Sequence, residues 1–270
     1  MYYVIGYRKK IVYENLKNSF PEKSPKEIEL IAKKFYKYFS RLIMEIIKLI
    51  SISREKLKNR IRFKSTEDLQ ELYNKGIQCI VFTGHFGNWE WLTGLTDYTP
   101  YKSIAVHKPL SNKYFDRLFI RIRSKTGTEI VNMSKILKAI LKNLREGVLT
   151  LSIFNSDQSP VKEHIQYWTT FLNQDTPVFL GAEKIARKTN QAVFFCKIVP
   201  IKIGYYEVEM IKLFEAAANI EEFEITEKYI KLLEQAIKEQ PEYYLWTHRR
   251  WKLSYLRNTK SSNIENKPQE

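Results

Sequence analysis

The chain has 270 residues, with 45 Lys and Arg against 30 Asp and Glu for a formal net charge of +15, and 44% of its residues are hydrophobic. That apolar share at this length buries a continuous core, which excludes intrinsic disorder and mini-protein scaffolds. Its nine glycines form no G-x-x-x-x-G-K-[ST], G-x-G-x-x-G or G-x-S-x-G pattern, so nucleotide-loop and serine-hydrolase chemistries lose their signatures.

In chain order, the first expectation is a basic amphipathic helical region over residues 1–64, which holds 17 Lys and Arg but 6 Asp and Glu. Phe35, Phe39, Leu42, Ile43, Ile46, Ile47 and Ile50 recur at three and four, the spacing of a helical apolar stripe. Lys37, Arg41, Glu45 and Lys48 interrupt it, leaving less than the roughly 18 apolar residues of a spanning helix. The start MYYVIGYRKK has no secretory h-region. Such a basic block suits an anionic membrane surface or a nucleic acid; a solvated helix face is the plainer alternative.

From residue 76 onward, apolar runs at 77–82, 102–106, 128–132 and 148–154 alternate with helical patterns near 88–96, 111–124 and 134–145. This alternation predicts an α/β domain over 65–258, a mainly parallel central sheet flanked by helices. A helix near 178–189 precedes two runs, 192–201 and 205–214, joined at Gly204 in a hairpin-like pair, and 226–240 is a last helix stopped by Pro241. Residues 155–177 read as a long polar and aromatic connection, and 259–270 as a disordered tail.

Cys79 and Cys196 sit alone in apolar runs without metal-ligand spacing, so they read as small buried hydrophobes; no metal or cofactor is expected. The most specific local feature is TGHFGNWEW, residues 83–91, directly after an apolar run. On an ideal helix His85 and Glu90 lie about 140° apart, so they meet only if His85 occupies the turn before the helix. Gly84 and Gly87 give that turn its backbone freedom. A carboxylate on one imidazole nitrogen leaves the other as a base, and the carboxyl end of a strand is where open α/β sheets bind ligands. A helix-capping carboxylate beside a structural histidine is the alternative.

The run GHFGNWEW, together with SDQSP (156–160), WTTFLNQDTPVFLGAEKIARKTN (168–190) and PEYYLWTHRRWK (241–252), resembles the bacterial late acyltransferases of lipid A biosynthesis, a branch of the lysophospholipid acyltransferase superfamily. ENLKNSFPEKS (14–24) is similar to the family's segment after its membrane anchor, and the resemblance covers about residues 5–255. It implies transfer of a fatty acyl chain from a thioester carrier, usually acyl carrier protein, to a hydroxyl of a lipid A precursor at the cytoplasmic face of the inner membrane. His85 is then the base and Glu90 its orienting partner, with direct attack and no acyl-enzyme.

The substrate-binding residues the resemblance implies are Gly87, Asn88, Lys108, Arg123, Asp157 and Gln158. Lys108 stands where family members commonly carry Arg. Arg117, Arg121, Arg249 and Arg250 are further cations with structural alternatives. His107, His164 and His248 have no carboxylate at a helpful spacing and read as structural or exposed. Phe82, Phe86, Trp89 and Trp91 suit either an acyl pocket or the core. Family members usually begin with an apolar helix, whereas this sequence starts at the stretch that follows it, so docking is expected to be peripheral or through a segment outside this chain. Two alternatives stand beside this reading: an acyltransferase for a phospholipid or other lyso-lipid, and a non-catalytic basic binder of anionic lipid or nucleic acid. No nucleic-acid recognition motif is present, so nucleic acid is not an expected partner.

Overall fold

The computed structural model describes Tyr2 and residues 6–257; the expected tail from 259 lies outside them. Helices α1 (Lys9–Ser19), α2 (Pro25–Lys48) and α3 (Arg54–Lys58) precede strand β1 (Ile61–Lys64) and α4 (Glu67–Asn74). Strand β2 (Cys79–Thr83) leads through a 3₁₀ helix (Trp89–Asp97) to β3 (Lys102–His107), α5 (Lys113–Ser124), β4 (Glu129–Asn132), α6 (Ile136–Arg145) and β5 (Thr150–Asn155). A hairpin of β6 (Tyr167–Phe171) and β7 (Gln174–Val178) follows, then α7 (Gly181–Thr189), the long strands β8 (Ala192–Lys202) and β9 (Tyr205–Phe214), and α8 (Glu224–Glu239).

The central sheet has the order β1-β9-β8-β2-β5-β3-β4. Strands β8, β2, β5, β3 and β4 run parallel, and β9 and β1 run the other way. The expected α/β architecture is therefore the observed one. Continuously apolar β2 is buried along its whole length, as a strand covered on both faces requires. Gly204, at φ +70°, turns β8 into β9.

Three elements differ from the sequence reading. The connection at 155–177 contains the β6–β7 hairpin, whose turn places Leu172 and Asn173 at φ 51° and 60°. With Leu172 rather than glycine at the first positive-φ position, Asn173 is the turn's one compositional signal. The short strand β1 lies inside the basic region and pairs with β9, nearly 150 positions away in sequence. The helix after His85 is 3₁₀, with the hydroxyls of Thr93 and Thr96 bonded to carbonyls three residues back.

Helix α2 begins in a capping box: Ser24 Oγ accepts from the Glu27 amide while Glu27 accepts from the Ser24 amide, and Pro25 fills the first helical position. The first part of its apolar stripe belongs to the protein core. Phe35 and Leu42 are fully buried, and Phe35 joins Val12 and Leu16 of α1 to Phe82, Phe195 and Leu233 in one cluster. The aromatic residues of α2 pack on protein, with Tyr38 edge-on to Tyr243 at 4.8 Å. Met44, Ile47 and Ile50, toward the end of the helix, stay exposed.

Candidate active site

Neighbouring strands β2 and β5 end in register, Thr83 opposite Asn155, and the Ser156 amide donates to the Thr83 carbonyl. His85 and Asp157 each lie two residues past those ends, so the sheet delivers them together. His85 Nδ1 is 2.6 Å from Asp157 Oδ1, and the His85 backbone N–H donates to Oδ2 at 3.0 Å. Both carboxylate oxygens thus engage one residue. Asp157 is acceptor-only, so Nδ1 carries the proton and Nε2 keeps its lone pair. Burial alone raises the Asp157 carboxyl, but the charge and hydrogen bonds of His85, with Arg250 nearby, outweigh it and hold Asp157 below the usual carboxylate range.

The loop bearing His85 is clamped by the segment after α8. Leu245 N–H donates to the His85 carbonyl and Gly87 N–H to the Tyr243 carbonyl. Gly87 has φ +59°, and a Cβ there would lie 2.7 Å from the Ile198 carbonyl oxygen. Glycine is required at that position both for its conformation and for the close approach of β8. The clamp is itself held by α1, where Asn15 Nδ2 donates to the carbonyls of Trp246 and His248.

The Glu90 carboxylate makes no hydrogen bond to His85 among the described residues. It receives two hydrogen bonds from Arg123, Nε to Oε2 at 2.7 Å and Nη2 to Oε1 at 2.6 Å, and a third from the Trp89 indole at 3.1 Å. This fork geometry needs arginine, and lysine cannot reproduce it. Trp89 in turn stands edge-on to the His85 ring at 4.8 Å, so Glu90 reaches the histidine only through that indole. Arg123 Nη1 also donates to His107 Nδ1 at 3.1 Å, while His107 Nε2 lies 2.7 Å from Asp116 Oδ1. His107 therefore has the carboxylate partner that its sequence neighbourhood did not suggest, supplied by α5.

Gln158 places its side-chain amide 3.0 Å from His85 Nε2, in the position a hydroxyl would take. Asn88 is fully buried and donates to Glu45 Oε2 at 2.8 Å, which ties it into the core through α2. Lys108, Arg117 and Arg121 are exposed and reach neither His85 nor Glu90. Arg249 is exposed, whereas Arg250 is buried with Nη2 on the Pro177 carbonyl. Burial also lowers His248 to about 4; its Nε2 lies 3.4 Å from the Ser159 amide. Of the four aromatics considered for an acyl pocket, Phe82, Phe86 and Trp91 belong to the core, and Trp89 lines a cavity with Glu90, Ala105, Arg123 and Ile130. That cavity has a volume of about 40 Å³.

Sequence reasoning passed over Glu45, which accepts from Asn88 and from the Tyr206 hydroxyl at 2.7 Å. Its signal was a carboxylate interrupting an apolar helical stripe. It also left the His85–Asp157 pairing unseen, because 72 residues separate the two and only the register of parallel strands joins them.

The protein is thus of the α/β class, with a mainly parallel sheet whose carboxyl-terminal edge presents a histidine–aspartate pair beside a buried carboxylate–arginine fork. Residues 1–253 match the family model described as bacterial lipid A biosynthesis acyltransferase. The chain is also similar to lipid A biosynthesis acyltransferase 2 of Shigella flexneri, at 22% identity over 256 residues, covering 94% of this chain and 79% of that protein. The chain belongs to the bacterial lipid A biosynthesis acyltransferase family, and it is an O-acyltransferase.

Proposed function

We propose that the protein transfers a fatty acyl chain from acyl carrier protein to a hydroxyl of a lipid A precursor, with His85 as general base and Asp157 as the residue that fixes its tautomer. The observation that carries this reading is the 2.6 Å contact between His85 Nδ1 and Asp157, which makes Nε2, where Gln158 now sits, the nitrogen that accepts a proton. The acceptor hydroxyl takes the place of the Gln158 amide at Nε2. As its proton passes to His85, its oxygen attacks the thioester carbonyl. The tetrahedral intermediate then collapses: the carbon–sulfur bond breaks, the thiolate leaves, and His85 returns the proton to sulfur. General-base assistance of this kind is worth about 10²–10⁴ in rate.

Glu90 acts at one remove in this reading. It holds Arg123 in a fixed orientation, and Arg123 supplies positive charge for an acceptor phosphate or the developing oxyanion. Gly87 and Asn88 shape the turn. Lys108, exposed just past the end of β3, adds a second cation for the acceptor. The enzyme works on an anionic membrane surface, at the cytoplasmic face of the inner membrane; among the described residues no helix is long and apolar enough to cross a membrane.

The test is mass spectrometry of lipids after incubation with acyl carrier protein thioesters and a lipid A precursor. The expected result is a gain of one acyl group, lost in His85→Ala. A gain on a phospholipid or other lyso-lipid with the precursor unchanged overturns the acceptor assignment, and full activity in His85→Ala overturns the mechanism.

A further inference from the structure

Strand β8 pairs with β2 only through Ala192–Phe195 and then runs on to Lys202, about 23 Å beyond at the rise of an extended chain. Because the two strands are parallel, this extension travels toward the edge where His85 sits, passing Gly87 at Ile198. The β8–β9 turn therefore projects from the active-site edge. Its two outermost aliphatic residues, Ile201 and Ile203, are 60% and 67% exposed.

Beside the turn lies an open cleft of about 540 Å³ between the end of α2, α3 and the start of β9. Lys48, Lys56 and Arg60 line it, with Ser51, Asn59 and Tyr205 supplying neutral polar groups. No carboxylate lines it, and among the described residues these three cations form no ion pair. Arg60 is fixed by its hydrogen bond to the Gly204 carbonyl at 3.2 Å and by the Tyr205 ring 5.0 Å away, so cleft and turn are one unit. Lys202 stands over the same ring at 4.3 Å. Ile47 and Ile50, half exposed, flank Lys48 on α2, and Met44 is 65% exposed one turn earlier.

We infer that this cleft is a phospholipid-binding site: an anionic headgroup phosphate occupies the cationic cleft while Ile201, Ile203, Ile47 and Ile50 enter the acyl region of the same leaflet. Uncompensated cations call for an anion, and exposed aliphatics beside them call for an apolar phase; an anionic bilayer surface offers both within a few ångströms. An acidic protein partner would match the charges but leave the projecting isoleucines without an occupant. The inference rests on the reading of a membrane-surface enzyme and names the surface, which includes the exposed end of the apolar stripe, Ile47 and Ile50, but not its buried part around Phe35 and Leu42.

The test is co-sedimentation with vesicles of phosphatidylglycerol and phosphatidylcholine, against phosphatidylcholine alone, for wild type, Lys48→Gln/Lys56→Gln and Ile201→Ser/Ile203→Ser. Each cation near an anionic surface contributes about fivefold in partitioning, so the first variant is expected to bind about 25-fold more weakly. The second variant is expected to lose at least tenfold. Both should keep wild-type transfer to a detergent-dispersed acceptor. Since Cys79 and Cys196 are buried, an environment-sensitive fluorophore on Ile203→Cys reports the turn alone, and its emission should shift to the blue only with anionic vesicles. Wild-type protein that ignores both vesicles overturns the membrane reading and this inference together. Wild-type binding with unchanged variants and an unshifted fluorophore overturns the cleft alone. So does loss of acyl carrier protein binding in Lys48→Gln/Lys56→Gln with vesicle binding intact.

Discussion

Replacing Asp157 with asparagine tests which of the two carboxylates near His85, Asp157 or Glu90, acts on it directly. Asparagine retains one oxygen for the His85 backbone N–H, but its amide nitrogen then faces Nδ1. Two N–H groups cannot point at one another, so the imidazole proton moves to Nε2 and the base is blocked where the hydroxyl must dock. The expected loss in kcat/KM is the full worth of the base, about 10²–10⁴. The folded protein should lose about 1.5–3 kcal/mol, because one charge-assisted hydrogen bond inside the fold disappears and buried Arg250 loses its nearby anion. Initial rates of acyl transfer are to be compared for Asp157→Asn, His85→Ala, Glu90→Gln and the two doubles containing His85→Ala, with urea unfolding of each. If Asp157 acts only through His85, adding Asp157→Asn to His85→Ala costs nothing further. Glu90→Gln acts through Arg123 and should lower the residual rate of His85→Ala again. A rate within threefold of wild type for Asp157→Asn, or a loss that adds in full to that of His85→Ala, refutes the assignment.

Three other outcomes follow from the geometry. Burial holds His248 at about 4, against the ordinary 6.5, so between those values the unfolded chain binds a proton that the folded chain refuses. Stability should therefore fall as the pH drops from 6.5 toward 4, by up to about 3 kcal/mol at 1.36 kcal/mol per unit, and His248→Asn should flatten that slope in urea titrations. Gly87→Ala should cost about 2 kcal/mol or more, from positive φ and the clash with Ile198, with transfer lost at temperatures where the variant is still folded. Burial pushes the Cys79 thiol up to about 12 and raises Cys196 as well, so neither should react with a thiol reagent in the native protein, and the double alanine variant should keep wild-type transfer.

Much of the architecture was legible because it depends on local pattern. Runs such as IQCIVF and VLTLSIF are too apolar for anything but buried strands at that length, and the helices between them carry period and caps. The residues of the site were legible as well, since His85, Glu90, Asp157 and Gln158 sit in compact motifs at strand ends. Their partnership was not. His85 and Glu90 are close in sequence, and that proximity suggested a pair, but the 3₁₀ turn sends Glu90 toward α5 and Arg123. Asp157 reaches His85 only because Thr83 and Asn155 happen to stand opposite one another, a fact of register that no periodicity encodes. The β6–β7 turn and β1 escaped for related reasons: one uses Leu172 and Asn173 where glycine is usual, and the other depends on a strand far along the chain.

The clamp on the His85 loop also sets a schedule for biosynthesis. His85 leaves the ribosome early, yet its carbonyl is held by Leu245, and the Leu245 segment is in turn held by Asn15. The reactive loop is thus tied down by stretches near both ends of the sequence. A nascent chain long enough to display His85 and Asp157 lacks the segment that closes them into shape, and at translation rates of about 5–20 residues per second roughly 5–20 s separate the synthesis of Asp157 from that of Arg250. During that interval the His85 loop lacks the segment that holds its carbonyl. The loop takes its final shape only when the turn after α8 docks on it.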